Sequence, residues 1–141
     1  MQTFLPYADF EKSAKVLDRQ RLGKQRLETL TILNILSGKS SSKGWRNHPA
    51  TKMWQDHEYA LAEYGSVICK EWINRGYKDN MLPSFVDYLN QFSNNKTLPN
   101  WIGNQSFHDS HKSNLLRKNA EFYGVHDDFV VIGPDLPYIW P

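Results

Sequence analysis

The stretch that decides the fold is DFEKSAKVLDRQRLGKQRLETLTILNILS, residues 9–37. Its apolar residues recur at intervals of three and four, the spacing of one helix face. Asp9 is suited to cap the N-terminus, Glu11 places negative charge in the first turn, and Gly38 follows as a stop signal. The pattern predicts one long helix from about Asp9 to Ser37.

Three more helices are predicted after it. The second runs from Pro49 to about Arg75, because proline suits a first turn and Gly76 suits a helix end. Apolar spacing predicts a short third helix over residues 84–92 and a fourth over about 106–119.

The segments between and after these helices are rich in turn-forming residues. Residues 39–44, KSSSKG, are expected to form a flexible loop. The tail, residues 124–141, has three prolines and one apolar run, FVVI, which is expected to be extended. The sequence therefore predicts a compact, mostly α single domain, residues 1–141, of three to four helices with an irregular, aromatic-rich C-terminal tail.

Composition is that of an ordinary folded domain. The chain has 141 residues, of which 40% are hydrophobic and 23% charged, which argues against wholesale disorder. The single cysteine, Cys69, excludes an internal disulfide. No apolar run is long enough to cross a membrane, and the first residues lack the order of a signal peptide. We expect a soluble, cytoplasmic protein with no membrane partner.

The small net charge of +2 conceals an uneven distribution. Residues 1–50 carry nine Lys or Arg against four Asp or Glu, a balance of +5. On the long helix, four of these cations lie within about 60° of one another. This basic ridge consists of Lys12, Lys15, Arg19 and Arg26. It is either a solvated face or a surface for the phosphates of a nucleic acid.

A polar stripe runs along the same helix at spacings of three, four and three. It consists of Asp18, Arg21, Gln25 and Glu28 and lies in line with the apolar Ala14 and Ile32. Polar groups in an otherwise apolar line either form ion pairs at the surface or line a cleft. In a cleft, a carboxylate beside arginine could stabilise a developing cation or move a proton.

The histidines suggest two further possibilities. His108 and His111, with Asp109 between them, could belong to a metal site. Two histidines three residues apart are also typical of simple packing at the start of a helix. His48 ends the segment GWRNH, directly before a predicted helix. It either holds a phosphate there or caps the helix.

Aromatic and basic residues recur near the C-terminus. Tyr138 and Trp140, in PDLPYIWP, either close the core or offer a stacking surface for bases. The fourth helix carries HKSNLLRKN, whose basic side chains form a second element suited to phosphate contact.

Taken together, these motifs resemble a known family. Gln20, Arg21 and Leu22 are followed after five residues by Glu28, and a helix after GWRNHP ends in RGY at residues 75–77, before a late SHKSNLLRK helix. This order is similar to that of the pyrimidine dimer DNA glycosylases. The combination of MQTFLPYADF, LGKQR, NHPATKMW, SNLLRK and PYIWP resembles a distant branch grouped with them.

The resemblance implies a fold and a chemistry. Members are single, mostly α domains in which an N-terminal α-amine attacks the sugar C1′ and forms an imine, with a glutamate assisting. Glu28 matches that glutamate through its spacing from Gln20 and Leu22. Where the family has a threonine after methionine removal, this chain has Gln2, too large for ordinary removal, so Met1 would supply the amine. Strand nicking (AP lyase activity) remains an open part of this hypothesis.

The resemblance, together with the basic ridge and the polar stripe of the long helix, indicates binding residues and partners. The implied partner is double-stranded DNA with a damaged or modified base, bound by a monomer without a cofactor or metal. Gln20, Arg21, Gln25 and His48 would bind the substrate. The cations expected on DNA are Lys12, Lys15, Arg19, Lys24, Arg26, Arg46, Lys112, Arg117 and Lys118.

Two alternatives stay open at this point. One is a nucleic-acid-binding protein without catalysis, in which the polar stripe is structural. The other is a metal-dependent enzyme that uses His108, His111 and a further ligand.

Overall fold

The computed structural model describes residues 1–41 and 43–141. Within them it contains nine helices and no strand, which confirms the prediction of a mostly α fold. The helices are α1 (Phe10–Val16), α2 (Arg19–Leu36), α3 (Lys43–Arg46), α4 (Pro49–Lys52), α5 (Glu58–Asn74), α6 (Leu82–Gln91), α7 (Gln105–Lys118), α8 (Ala120–Tyr123) and α9 (Asp127–Ile132).

The predicted helix over residues 9–37 is broken in two, so that prediction is wrong at one point. Leu17 and Asp18 have extended backbones, and Asp18 caps α2 by accepting from the backbone N–H of Arg21. The hydroxyl of Tyr123 donates to Oδ1 of Asp18 over 2.5 Å and accepts from the Asp18 N–H over 3.0 Å. The basic ridge is therefore divided between α1 and α2.

The predicted second helix is also interrupted. Residues 49–52 form α4, and a turn containing Asp56, whose φ is 69°, precedes the start of α5 at Glu58. The third and fourth predicted helices agree with α6 and α7 to within two residues at each end.

Two segments predicted to be irregular are helical. The run FVVI, expected to be extended, lies in α9, where Phe129 is buried and stacks on Tyr123. The predicted loop at residues 39–44 ends where α3 begins at Lys43. Ser42, which belongs to that loop, lies outside the described residues.

The core forms where α5 packs against α2, α1 and α6. Trp54, Leu61, Tyr64 and Ile68 are fully buried there. Gly65 allows α6 to approach closely, because a Cβ at that position would lie 2.2 Å from Cε1 of Phe85. Among the described residues, no helix is both long and apolar enough to cross a membrane.

Candidate active site

A cavity of about 410 Å³ opens beside the first residues of the chain. Its walls come from the N-terminal segment, the first half of α2, the residue before α4, the end of α7 and the C-terminal tail. The lining residues are Met1, Gln2, Phe4, Gln20, Arg21, Lys24, Gln25, Glu28, His48, Lys118, Tyr138 and Trp140. The structure thus brings together both predicted catalytic residues and all four predicted substrate-binding residues.

Gln25 fixes the position of the N-terminal segment. Its side-chain Oε1 accepts from the backbone N–H of Phe4 over 2.9 Å, and its Nε2 donates to the carbonyl of Gln2 over 2.9 Å. The hydroxyl of Tyr64 lies 2.7 Å from the carbonyl oxygen of Phe4 and 2.8 Å from Oε1 of Gln25. Gln25 is buried, so these bonds form in a medium where water cannot replace them.

The two α7 histidines hold the next residue of this segment. Nδ1 of His111 accepts from the Leu5 N–H over 2.9 Å, and Nδ1 of His108 lies 2.8 Å from the Leu5 carbonyl oxygen. Nε2 of His108 accepts from the Gly103 N–H, so its Nδ1 is the donor to Leu5. Burial lowers the pKa of both rings, that of His111 to about 3.

These bonds give the histidine pair a structural role. In the part of the chain that the structure describes, no three His, Cys, Asp or Glu side chains gather in a way that could hold a metal ion. His108 and His111 are neutral groups that complete the hydrogen bonding of an extended backbone, in place of a neighbouring strand.

Glu28 lies next to the first peptide of the chain. Its Oε2 accepts from the backbone N–H of Gln2 over 2.7 Å. The N–H of Gln2 belongs to the peptide that begins at Met1, so the carboxylate is held beside the residue that carries the α-amine. The polar stripe therefore faces the N-terminal segment, with Gln25 and Glu28 binding its backbone and Arg21 at the cavity wall.

His48 closes another side of the cavity. Its Nδ1 accepts from the backbone N–H of Ala50 over 3.0 Å and caps α4, as one of the two interpretations of the sequence proposed. Burial and the neighbouring α-amine of Met1 lower the pKa of His48, while the carboxylate of Glu28 acts in the opposite direction. The charges of the Met1 α-amine and of the Glu28 carboxylate therefore both act on the His48 ring.

The sequence of this region carries a family signature. The model of the pyrimidine dimer DNA glycosylase family matches residues 1–83. The chain belongs to this family. Membership supports a DNA glycosylase kind of function and a DNA substrate. No curated protein and no solved structure matches the chain.

The part of the chain that the family model matches contains most of the cavity wall. Met1, Gln25, Glu28 and His48 all lie within residues 1–83. Lys118, Tyr138 and Trp140 lie beyond the match and complete the wall from the other half of the chain.

The basic residues predicted on DNA occupy different environments in this family member. Three of them line the cavity: Arg21, Lys24 and Lys118. Arg21 also forms an ion pair with Asp18, in which Nη1 of Arg21 lies 3.3 Å from Oδ1 of Asp18. Arg117 is exposed but donates to the carbonyls of Pro134 and Leu136, so it holds the tail in place. Exposed positions away from the cavity wall are Lys12, Lys15, Arg19 and Arg46.

Two of the cations predicted on DNA already have partners within the fold. Arg26 forms an ion pair with Asp79 over 2.5 Å and stacks on the Trp72 ring, so its side chain is used inside the protein. Lys112 is 7% exposed and lies 3.7 Å from Oδ1 of Asp109 and 4.0 Å from Oδ2 of Asp128. Both cations therefore make contacts within the fold, in contrast to the exposed cations of the same prediction.

Some site residues were missed by sequence reasoning. Gln2 and Phe4 line the cavity, and no spacing in the sequence could have indicated it. Of the two tail aromatics, Tyr138 packs on the core beside Phe4 and His111. Trp140 remains 39% exposed at the cavity, which fits the stacking interpretation better than core closure.

Proposed function

We propose that the protein excises a damaged or modified pyrimidine from double-stranded DNA, with the α-amine of Met1 as nucleophile and Glu28 as acid and base. The observation that carries the proposal is the 2.7 Å hydrogen bond from the Gln2 N–H to Oε2 of Glu28. It holds a carboxylate beside the residue that bears the amine, inside a cavity large enough for a nucleotide base.

An α-amine is suited to this task at neutral pH. α-Amines as a class have a lower reference pKa than lysine side chains, about 8 against about 10.4, and are therefore the better amine nucleophiles at neutral pH. The lone pair forms a bond to C1′ of the sugar while the C1′–N1 bond breaks, and the electron pair of that bond leaves with the base. The base anion takes its proton from water.

Glu28 handles the remaining proton transfers. After attack, the positively charged nitrogen gives one proton to the carboxylate. The protonated Glu28 returns it to O4′ as the C1′–O4′ bond opens, which leaves a protonated imine between the protein and C1′. Loss of a proton from C2′ and departure of the 3′ phosphate would then nick the strand, the AP lyase reaction.

The cavity also supplies positive charge for the DNA backbone. Lys24 and Lys118 are exposed at the cavity, and Arg21 lines the same cavity from α2. Cations at the mouth of a cavity favour phosphate binding and help to offset the cost of extruding a nucleotide. The exposed Lys12, Lys15, Arg19 and Arg46 would extend this surface.

Borohydride trapping tests the proposal directly. Sodium borohydride reduces an imine to a stable amine, so the protein should form a covalent adduct with abasic duplex and with duplex that contains a thymine dimer. A variant with one extra residue before Met1 moves the amine out of the cavity and should lose the adduct. Undiminished adduct from the extended variant would contradict the α-amine of Met1 as the nucleophile.

A complete failure of trapping would have a different meaning. If the wild type binds duplex DNA in a salt-dependent way but forms no adduct with either substrate and releases no base from the damaged duplex, the non-catalytic DNA-binding function is correct and the proposed enzyme is not.

A further inference from the structure

We infer that His48 is a further catalytic residue, which donates a hydrogen bond from Nε2 to the departing pyrimidine as the C1′–N1 bond breaks. This inference rests on the proposed function, and it identifies the group that stabilises the leaving base.

The capping bond determines which nitrogen of His48 carries the proton. Because the Ala50 N–H donates to Nδ1 over 3.0 Å, Nδ1 has no hydrogen of its own. The neutral ring is therefore protonated at Nε2. A second proton would have to enter at Nδ1 and would break the cap of α4, so the ring is held as a neutral donor. It has no free lone pair with which to act as a base.

The surroundings of the ring put His48 in the cavity that holds the proposed reacting groups. His48 lines the same cavity as Met1 and Glu28, and the charges of both groups act on it. The other charged groups on the cavity wall are Arg21, Lys24 and Lys118. A donor close to the amine that attacks C1′ is also close to the base attached to C1′.

Two exposed aromatic rings contact His48. The ring centroid of Trp45 lies 5.3 Å from that of His48, and the centroid of Trp140 lies 5.9 Å from it at an interplanar angle of 86°. Trp45 is 42% exposed and Trp140 is 39% exposed. Exposed indole rings can stack on an extruded base, which would bring the edge of that base against the imidazole.

The chemistry of the leaving group requires such a donor. When the C1′–N1 bond breaks, the electron pair enters the pyrimidine ring and spreads from N1 to the adjacent carbonyl oxygen, O2. A fixed, neutral N–H near O2 stabilises this developing charge without giving up its proton. Removal of one donor of this kind typically costs about 10²–10³ in rate.

The test separates base departure from the later steps. In His48→Ser the hydroxyl can still cap α4, but the Nε2–H is lost. We expect excision to fall about 10²–10³-fold in single-turnover assays. Borohydride trapping on abasic duplex should be retained, because that substrate has no base to expel. Asn47→Ala, at the exposed neighbouring position, is the matched control and should keep both activities.

The choice of substrate keeps the outcomes distinct. Excision is measured on duplexes containing a thymine dimer, 5-hydroxycytosine or uracil, and the duplex that the wild type processes fastest is used for the variants. No adduct from the wild type on abasic duplex contradicts the proposed function, and this inference with it. Adduct on abasic duplex combined with equal losses of excision and trapping in His48→Ser overturns the role of His48 alone. Unchanged excision in that variant does so as well.

A measurement on the wild type covers the case in which the variant does not fold. Long-range ¹H–¹⁵N correlation spectra distinguish the two neutral imidazole tautomers. We expect the Nε2–H form for His48 at pH 7. An Nδ1–H form would overturn the inference, because Nε2 would then be an acceptor.

Discussion

The backbone N–H of Gln2 donates to Oε2 of Glu28 over 2.7 Å, although 26 residues separate them in the chain. This bond gives one carboxylate two tasks. It anchors the first peptide, and in the proposed mechanism it also transfers protons at the neighbouring amine. The two tasks can be separated by substitution. Anchoring requires only an oxygen that accepts a hydrogen bond, whereas proton transfer requires a group that can be protonated and deprotonated.

Glu28→Gln is expected to keep the fold and lose the chemistry. The amide oxygen of glutamine can still accept from the Gln2 N–H, but it cannot exchange protons in the relevant pH range. We expect the melting temperature to change little and excision to fall by about 10²–10⁴-fold, the usual contribution of a general acid or base. Full activity in this variant would mean that Glu28 has only an anchoring role.

Gln25→Leu should be strongly destabilising. It leaves the N–H of Phe4 and the carbonyl of Gln2 without their buried partners. Each such loss typically costs about 1–3 kcal/mol. Gln20→Leu, the same substitution at an exposed position of α2, should stay within about 0.5 kcal/mol of wild type. Urea titration measures both, and equal stability of the two variants would contradict the anchoring role of Gln25.

His111 should make stability depend on pH. Its pKa is lowered from 6.5 to about 3 in the folded protein, so the unfolded chain binds more protons between these values. The contribution of neutral His111 to the free energy of unfolding is complete above pH 6.5. It is lost as the pH falls toward 3, by at most about 1.4 kcal/mol per pH unit.

A comparison of variants isolates this effect. The amide of His111→Asn does not titrate. Urea unfolding at pH 7.5, 6.0 and 5.0 should therefore show a shallower slope for the variant, even if it is less stable at pH 7.5. A slope as steep as that of the wild type would assign the pH dependence to other groups, of which His108 is the first candidate.

Lys24→Ala and Arg26→Ala should differ in their effects on DNA binding. Lys24 is exposed at the cavity, whereas Arg26 is paired with Asp79 and stacked on Trp72. Loss of one phosphate contact lowers the slope of log affinity against log salt by about 0.9. We expect that change in Lys24→Ala, and in Arg26→Ala a loss of stability with the salt slope unchanged. The reverse result would place the DNA surface on the other side of α2.

The polar stripe was visible in the sequence because Gln25 and Glu28 interrupt an apolar face. What the stripe binds was not visible. Its partners are backbone groups of Gln2 and Phe4, and any residue type can supply those. Periodicity therefore indicated a candidate site on α2 but could not show that the first residues of the chain lie against it.

The break before α2 illustrates a different limit. Asp18 was predicted inside a continuous helix, and local spacing supports that prediction. The extended backbone at Asp18 is held by Tyr123, a partner 105 residues away. Tertiary contacts of this kind override local propensity. In α9 the β-branched residues favoured an extended tail, but Asp127 and Asp128 in the first turn and the buried Phe129 stabilise a helix.

The hydrogen bond between Leu5 and His111 spans 106 residues. During synthesis residue 5 is made early and residue 111 late. The backbone N–H of Leu5 can therefore form its hydrogen bond only after α7 has been made. Contacts of such long range form slowly, because closing the intervening loop costs entropy before any bond is gained. The cavity is thus among the last parts of the molecule to be organised during synthesis, and a half-made chain would carry its amine on an unanchored end.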